Sequence, residues 1–313
     1  MIKTRLRDFL ITKEDWIFAV ADYFHPQGIR STLRYVPDED GERERNGIRY
    51  RKYDFDDAFE FMRKKRPQWV QDVHVVPENQ VKQILKPTDS IPELFRKDHR
   101  IAAIVGLLQG AGIPVSQMGV TGSLLAGLQN ETSDIDFVVY GSAWFDARDA
   151  ISVAKSKSSI IEDLSEEMWQ RIYNKRIPEI SFDEFILHEQ RKGNRGMVEG
   201  TYFDLLFVRD WEQINEPMLR GEDIKTAKIE ATVTNADFAF DSPSVYKVDH
   251  ERIDYVLSYT HTYAGQALVG EVIEAQGVVE QVGDTCRLVV GTSREPKGEW
   301  IRSLTLLEEY GYI

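Results

Sequence analysis

The spacing of apolar residues in the first part of the chain predicts a small α+β unit. Residues 31–37 and 48–54 alternate apolar and polar side chains around a polar loop, which predicts two strands joined by a long hairpin. The next segment has four apolar residues at the i, i+3, i+4 and i+7 spacing of a helix: Phe55, Ala58, Phe59 and Met62.

The middle of the chain alternates between helical and strand patterns. Ser90 and Glu93 form an expected capping box that opens a helix through residue 110, and Ser181 with Glu184 forms a second one. Strands are predicted at three apolar runs, with helical stretches over residues 145–192: 113–120, 134–140 and 201–208.

From about residue 223 the pattern changes to short β-rich runs separated by glycines, which predicts a small barrel or sandwich. The expected fold class is α+β, with a central mixed sheet and helices flanked by the N-terminal unit and the C-terminal β-rich unit. The expected domains are residues 1–88, 89–222 and 223–313, the last of them OB-like.

Composition narrows the classes of function. A formal net charge of −13 argues against a chain that coats nucleic acid by bulk electrostatics, although local basic patches are compatible with it. The single Cys286 excludes an intramolecular disulfide, and no Cys/His group has zinc-site spacing. No stretch is apolar enough for a membrane span, so we expect a cytoplasmic protein without a membrane partner.

Candidate chemistry is concentrated in residues 119–141, which read GVTGSLLAGLQNETSDIDFVVYG. Gly122 lets the backbone approach a phosphate, and Ser123 adds a hydroxyl at the start of a predicted helix. Asp134 and Asp136 alternate along a predicted strand and would share one face. Magnesium is usually held by one or two carboxylates plus substrate phosphates, so this pair suits a nucleotide site.

The combination of strand, Gly-Ser, helix and Asp-x-Asp resembles the signature of the DNA polymerase β type nucleotidyltransferase superfamily over roughly residues 100–210. The chain as a whole resembles uncharacterised archaeal proteins classed as predicted nucleotidyltransferases. The superfamily has a third carboxylate on a later strand, and the matching residue is Asp204 in TYFDLLFV. One departure is the absence of an Arg within a few positions after Gly-Ser.

The resemblance implies transfer of a nucleoside monophosphate from a triphosphate, such as ATP, to an acceptor hydroxyl, with two Mg²⁺ or Mn²⁺ ions. Asp134 and Asp136 would bridge both ions, and Asp204 would complete the ion that binds the nucleophile and accept its proton. If the three acids converge, replacing Asp204 with Asn is expected to raise stability slightly in the absence of metal.

Because no Arg follows Gly-Ser within a few positions, the charge of the triphosphate must be met elsewhere in the chain. The triphosphate charge would be met by cations in the stretch before Asp204, although a solvated helix face explains any one of them equally well: Arg171, Lys175, Arg176, Arg191, Lys192 and Arg195. The acceptor stays open among RNA, DNA, protein and small molecules.

The alternative function is a catalytically silent fold that acts as a nucleic-acid-binding module through residues 223–313. Its expected contacts are Arg287, Arg294, Lys297 and Trp300. The simpler explanation of these residues is a domain that only packs against the catalytic one.

Overall fold

The chain forms two compact units in the computed structural model, which describes residues 2–157, 160–215, 217–218, 220–292 and 297–313. The first unit combines Met1–Glu162 with Asn194–Pro217. The second combines Asp163–Gly193 with Met218–Ile313. The three domain boundaries expected from the sequence stay a prediction.

The first unit begins with a seven-stranded, largely antiparallel sheet. Its strands run in the order β4-β5-β3-β2-β1-β7, and β6 pairs with β3. The strands and the helix between β5 and β6 are β1 (Phe9–Thr12), β2 (Ile17–Val20), β3 (Ile29–Pro37), β4 (Arg43–Arg45), β5 (Ile48–Lys52), α1 (Phe55–Lys65), β6 (His74–Val76) and β7 (Val81–Leu85). The predicted hairpin is confirmed as β3 and β5, with the short β4 inside its polar loop.

The two faces of this sheet carry two separate apolar cores. One face, with Leu10, Phe18 and Leu33, packs on α1 through the predicted residues Ala58 and Met62. The opposite face carries the following apolar residues, which pack with residues 125, 126 and 128 of the next part of the chain: Phe9, Ile11, Ile17, Tyr35 and Tyr50. The N-terminal sheet therefore lies directly against the segment that contains the Gly-Ser motif.

A β-bulge interrupts β3 at Arg34. Ile17 of β2 pairs with Tyr35 and the next residue, Phe18, pairs with Leu33, so Arg34 is the additional residue. A bulge changes the alternation of side chains between the faces of a sheet. Tyr35 accordingly belongs to the apolar core that includes residues 125–128, whereas Leu33 belongs to the core with α1.

The second sheet of the first unit has the strand order β10-β11-β12-β9-β8. Its elements and the helices around it are α2 (Pro87–Lys97), α3 (His99–Gly110), β8 (Met118–Val120), α4 (Gly122–Ala126), β9 (Ile135–Tyr140), α5 (Ala143–Ser156), β10 (Ile161–Glu162), β11 (Arg195–Val198) and β12 (Thr201–Val208). β9 and β12 are parallel neighbours; β9 is almost wholly buried, as parallel strands usually are, whereas β12 combines buried and partly buried residues.

The first predicted capping box is wrong. α2 begins at Pro87, which suits the first position of a helix because its missing N–H would be unsatisfied there. Ser90 lies inside α2 and its hydroxyl donates to the carbonyl of Pro87 at 2.7 Å. The predicted single helix is broken at Asp98, whose side chain accepts from the Arg100 N–H and caps α3.

The second unit contains a closed β-barrel, which confirms the barrel interpretation. Its elements are α6 (Glu166–Arg176), α7 (Phe182–Lys192), β13 (Glu222–Phe238), β14 (Ser244–Asp249), β15 (Tyr255–Ser258), β16 (Val272–Val282), β17 (Thr285–Val290), β18 (Trp300–Ser303) and α8 (Leu304–Glu309). The long β13 pairs with β14 through its second half and with β16 through its first half. The ring β13-β14-β15-β17-β16 is therefore closed, with β18 added outside β16.

Helix α7 packs on this barrel through a buried histidine. The capping box of Ser181 and Glu184 at its start is confirmed. His188 accepts the backbone N–H of Ser303 at its Nε2, at 3.0 Å, and its Nδ1 lies 2.6 Å from the carbonyl oxygen of Glu184. Because Nε2 accepts, Nδ1 must carry the proton, and the ring is neutral.

The α+β architecture predicted from the sequence is thus confirmed, including the central mixed sheet and the β-rich C-terminal part. Across the described residues, none of the helices combines the length and the apolar character needed to cross a bilayer.

Candidate functional site

The parallel pairing of β9 and β12 places two acidic residues side by side. Asp136 is the register partner of Asp204, with apolar neighbours on both strands. Neighbouring strands lie about 4.8 Å apart, and register partners project from the same face of a sheet. The strand TYFDLLFV beside IDFVVY is therefore confirmed, and it brings Asp204 to Asp136 as the sequence predicted.

A tight hairpin between β11 and β12 determines which residue of β11 pairs with Asp204. The two-residue turn Glu199-Gly200 has positive φ at both positions (47° and 72°), as in the type I′ turns that suit twisted hairpins. The register that follows pairs Arg195 of β11 with Asp204. Arg195 donates from Nε to Oδ1 of Asp204 at 2.7 Å, with the two side chains 5% and 19% exposed.

Gly122 brings the Gly-Ser turn against the carboxylate of Asp136. Its φ is +66°, and a Cβ at this position would lie 2.2 Å from Oδ2 of Asp136. The preceding Thr121 donates its N–H to the carbonyl of Asp136 at 2.9 Å, and its hydroxyl donates to the carbonyl of Arg7 at 2.7 Å. Only glycine fits here, because any side chain would occupy the position of the carboxylate.

Asp134 lies just before β9, since the strand begins at Ile135 and not at Asp134 as predicted. Its side chain is exposed, whereas Asp136 is partly buried. Over the part of the chain that the structure describes, no group of three or more His, Cys, Asp or Glu side chains is arranged to hold a metal ion. The structure therefore pairs Asp136 with Asp204, and Asp134 lies two residues before Asp136, outside the strand.

The pKa of Asp136 is raised from its usual value to about 6. Burial of the carboxyl group is the largest cause, and the negative charge of Asp204 is the next. The guanidinium of Arg7 opposes this shift, Asp134 adds to it, and Arg34 opposes it again. Both arginines belong to the N-terminal segment, which sequence reasoning did not connect with this site.

The cations predicted to meet the triphosphate charge divide between the two units. Arg195 lies in the first unit and is engaged with Asp204. In the second unit, Lys192 and Arg176 pair with the buried Glu189, and Arg191 pairs with Glu271. The other two predicted cations of this unit are exposed on α6: Arg171 and Lys175.

Two of the four residues predicted to contact nucleic acid form hydrogen bonds with other residues of the barrel. Arg287 is buried and donates from Nε to Glu280 at 2.6 Å, and the indole N–H of Trp300 donates to Glu274 at 3.1 Å. Lys297 is exposed, and Arg294 lies outside the described residues. The geometry therefore gives the binding-module alternative no specific support.

Comparison with known proteins gives the central segment a family. The family model described as a nucleotidyltransferase domain matches residues 101–188, which include the Gly-Ser and Asp-x-Asp motifs. An uncharacterized protein of the archaeon Methanocaldococcus jannaschii is 38% identical over 341 residues, covering 96% of this chain and 99% of that protein. No solved structure gives a significant match. The chain therefore belongs to the family of this archaeal protein, and its residues 101–188 form a nucleotidyltransferase domain.

Proposed function

We propose that the protein transfers a nucleoside monophosphate from a nucleoside triphosphate, such as ATP, to an acceptor hydroxyl in a metal-dependent reaction. The observation that carries this proposal is the pairing of Asp136 with Asp204 across two parallel strands, next to the Gly122 turn. The nucleotidyltransferase domain at residues 101–188 supports the same reaction type.

The residues fit a magnesium or manganese site. The donors are carboxylate oxygens, which hard divalent cations prefer, and magnesium usually takes one or two carboxylates together with substrate phosphates. The raised pKa of Asp136 shows that its negative charge is poorly compensated in the protein alone. Asp136 and Asp204 would hold the metal, and the exposed Asp134 would join when substrate is bound.

The bound metal would activate the acceptor hydroxyl and stabilise the departing pyrophosphate. The chain's own residues would orient the substrate. Gly122 leaves room at the carboxylate for a phosphate, and the Ser123 hydroxyl follows it. The acceptor oxygen would form a bond to the α-phosphorus while the bond to pyrophosphate breaks.

The ion pair with Arg195 refines the role of Asp204. The Arg195 guanidinium donates to Oδ1 of Asp204 and orients that carboxylate. We therefore assign Asp204 as a metal ligand held in place by Arg195, and by the family resemblance it would also accept the proton of the acceptor hydroxyl.

A transfer screen tests the proposed function. Each α-labelled nucleoside triphosphate is incubated with Mg²⁺ or Mn²⁺ and with pools of RNA, DNA, protein or small hydroxyl compounds. We expect labelled acceptor from wild-type protein and none from Asp136→Asn. Asp146→Asn, an exposed acid in the first turn of α5, is the matched control and should retain activity. Transfer that survives in Asp136→Asn would refute the assignment.

A further inference from the structure

The bulge in β3 changes the face of the N-terminal sheet on which the residues after Leu33 lie. Tyr35 lies on the face of the N-terminal sheet that packs with Leu125 and Ala126 of α4. With Arg34 inserted between Leu33 and Tyr35, two consecutive residues can point toward the same side. Bulges are common next to functional sites because they redirect a side chain in this way.

The two apolar cores fix the face on which Arg34 lies. Leu33 and Val36 belong to the core with α1, whereas Tyr35 belongs to the core with α4, so the bulge places Arg34 and Tyr35 together on the α4 side of the sheet. Among the described residues, Arg34 has neither an ion pair nor a side-chain hydrogen bond. It is partly buried, which distinguishes it from the exposed basic residues of β5.

A second segment of the N-terminal sheet reaches the same place. Arg7 adopts a positive φ of 72° just before β1, and its carbonyl accepts the hydroxyl of Thr121, the residue before Gly122. The side of the sheet that faces the Gly-Ser turn is therefore fixed to that turn by a hydrogen bond as well as by apolar packing.

We propose that Arg34 binds a phosphate group of the nucleoside triphosphate, so that the N-terminal sheet forms one side of the nucleotide site. This inference rests on the proposed function. Guanidinium groups suit phosphate because they donate two parallel hydrogen bonds and stay charged.

A purely structural role for Arg34 would be to offset the charge of Asp136. The two roles make different predictions for ligand affinity. A counter-charge alone would affect the stability of the free protein, whereas a phosphate ligand would affect affinity for the triphosphate more than for a nucleoside monophosphate.

Calorimetric titration with a non-hydrolysable ATP analogue and Mg²⁺ tests the inference. We expect Arg34→Gln to weaken binding about tenfold or more, the usual effect of losing a hydrogen bond to a charged group. Arg34→Lys should restore part of the affinity, and AMP should show a smaller difference. Arg51→Gln is the matched control, because Arg51 is an exposed residue of the neighbouring β5 that pairs with Asp38.

The outcomes separate the two proposals. If wild type binds the analogue and Arg34→Gln binds it equally well, the inference about Arg34 is overturned and the proposed function stands. If wild type does not bind any nucleoside triphosphate with Mg²⁺ or Mn²⁺, both fail. Circular dichroism and thermal unfolding of Arg34→Gln establish that it is folded, and Arg34→Lys supplies the second variant if it is not.

Discussion

Replacing Asp204 with Asn should destabilise the protein in the absence of metal. Two effects of opposite sign compete. The change removes a negative charge beside Asp136, which relieves repulsion, but it also removes the carboxylate that compensates the buried Arg195. The slight gain in stability expected from the sequence counts only the first effect.

The magnitudes decide the sign. Raising the pKa of Asp136 from 3.8 to about 6 corresponds to about 3 kcal/mol, and since burial is the first cause, Asp204 accounts for about 1 kcal/mol of it. Breaking a buried ion pair costs about 3–5 kcal/mol. Asp204 is 19% exposed and Asn can still accept from Arg195, so we take about 2–3 kcal/mol here. The net loss is about 1–2 kcal/mol, or a fall in Tm of about 2–6 °C.

Thermal and denaturant unfolding at pH 7.5 with EDTA measures this effect. The double variant Asp204→Asn/Arg195→Leu removes the uncompensated guanidinium as well, so it should be more stable than the sum of the two single losses implies. Asp146→Asn serves as the surface control. If Asp204→Asn is as stable as wild type or more stable, the Arg195 pair does not contribute as the structure indicates.

Three further predictions follow from other contacts. Gly122→Ala should lower stability by about 1–3 kcal/mol and abolish triphosphate binding. The added Cβ would clash with Asp136, and the positive φ of residue 122 disfavours any side chain. Unchanged triphosphate binding in calorimetry would argue against the Gly122 assignment. Without metal, the folded protein keeps a proton on Asp136 up to about pH 6 while the unfolded chain releases it near pH 4, so stability should fall by about 2 kcal/mol as pH rises from 4 to 6. Asp136→Asn should lose that part of the pH dependence, and a pH profile identical to wild type would contradict the assigned shift. Burial lowers the pKa of His188 to about 3, so the stability that its neutral ring contributes is complete above pH 6.5 and decreases as pH falls, by about 2 kcal/mol at pH 5. His188→Asn should flatten the acid limb measured by denaturant unfolding, and an unchanged acid limb would contradict the assigned shift.

Local patterns in the sequence predicted much of the site because each depends on neighbouring residues. The apolar run around Asp204 identifies a buried parallel strand, and a lone acid in such a run needs a partner wherever the fold puts it. The predicted capping box at Ser181 is confirmed because α7 begins directly after Ser181. The one predicted at Ser90 is wrong because α2 already begins at Pro87, so Ser90 lies inside the helix.

The features that sequence reasoning missed depend on register between distant segments. Arg195 faces Asp204 because the Glu199-Gly200 turn sets the hairpin, and a slip of one residue would turn it to the other face. The bulge at Arg34 exists only relative to β2, so no pattern within β3 reveals it. The positive residues near Asp136 therefore could not be assigned from periodicity.

The order of the chain through the two units has a consequence for biosynthesis. Asp163–Gly193 lies between β9 and β12 in sequence but belongs with the later barrel segment. During translation, β9 must therefore wait for its parallel partner until Val208 has left the ribosome, and α6 and α7 must wait longer still for their barrel. A nascent chain at this stage exposes the apolar edge of β9, which includes Phe137 and Val139. Because each unit consists of two separate segments of the chain, neither unit can be produced by a simple truncation. To study one unit alone, its two segments would have to be joined in a single chain.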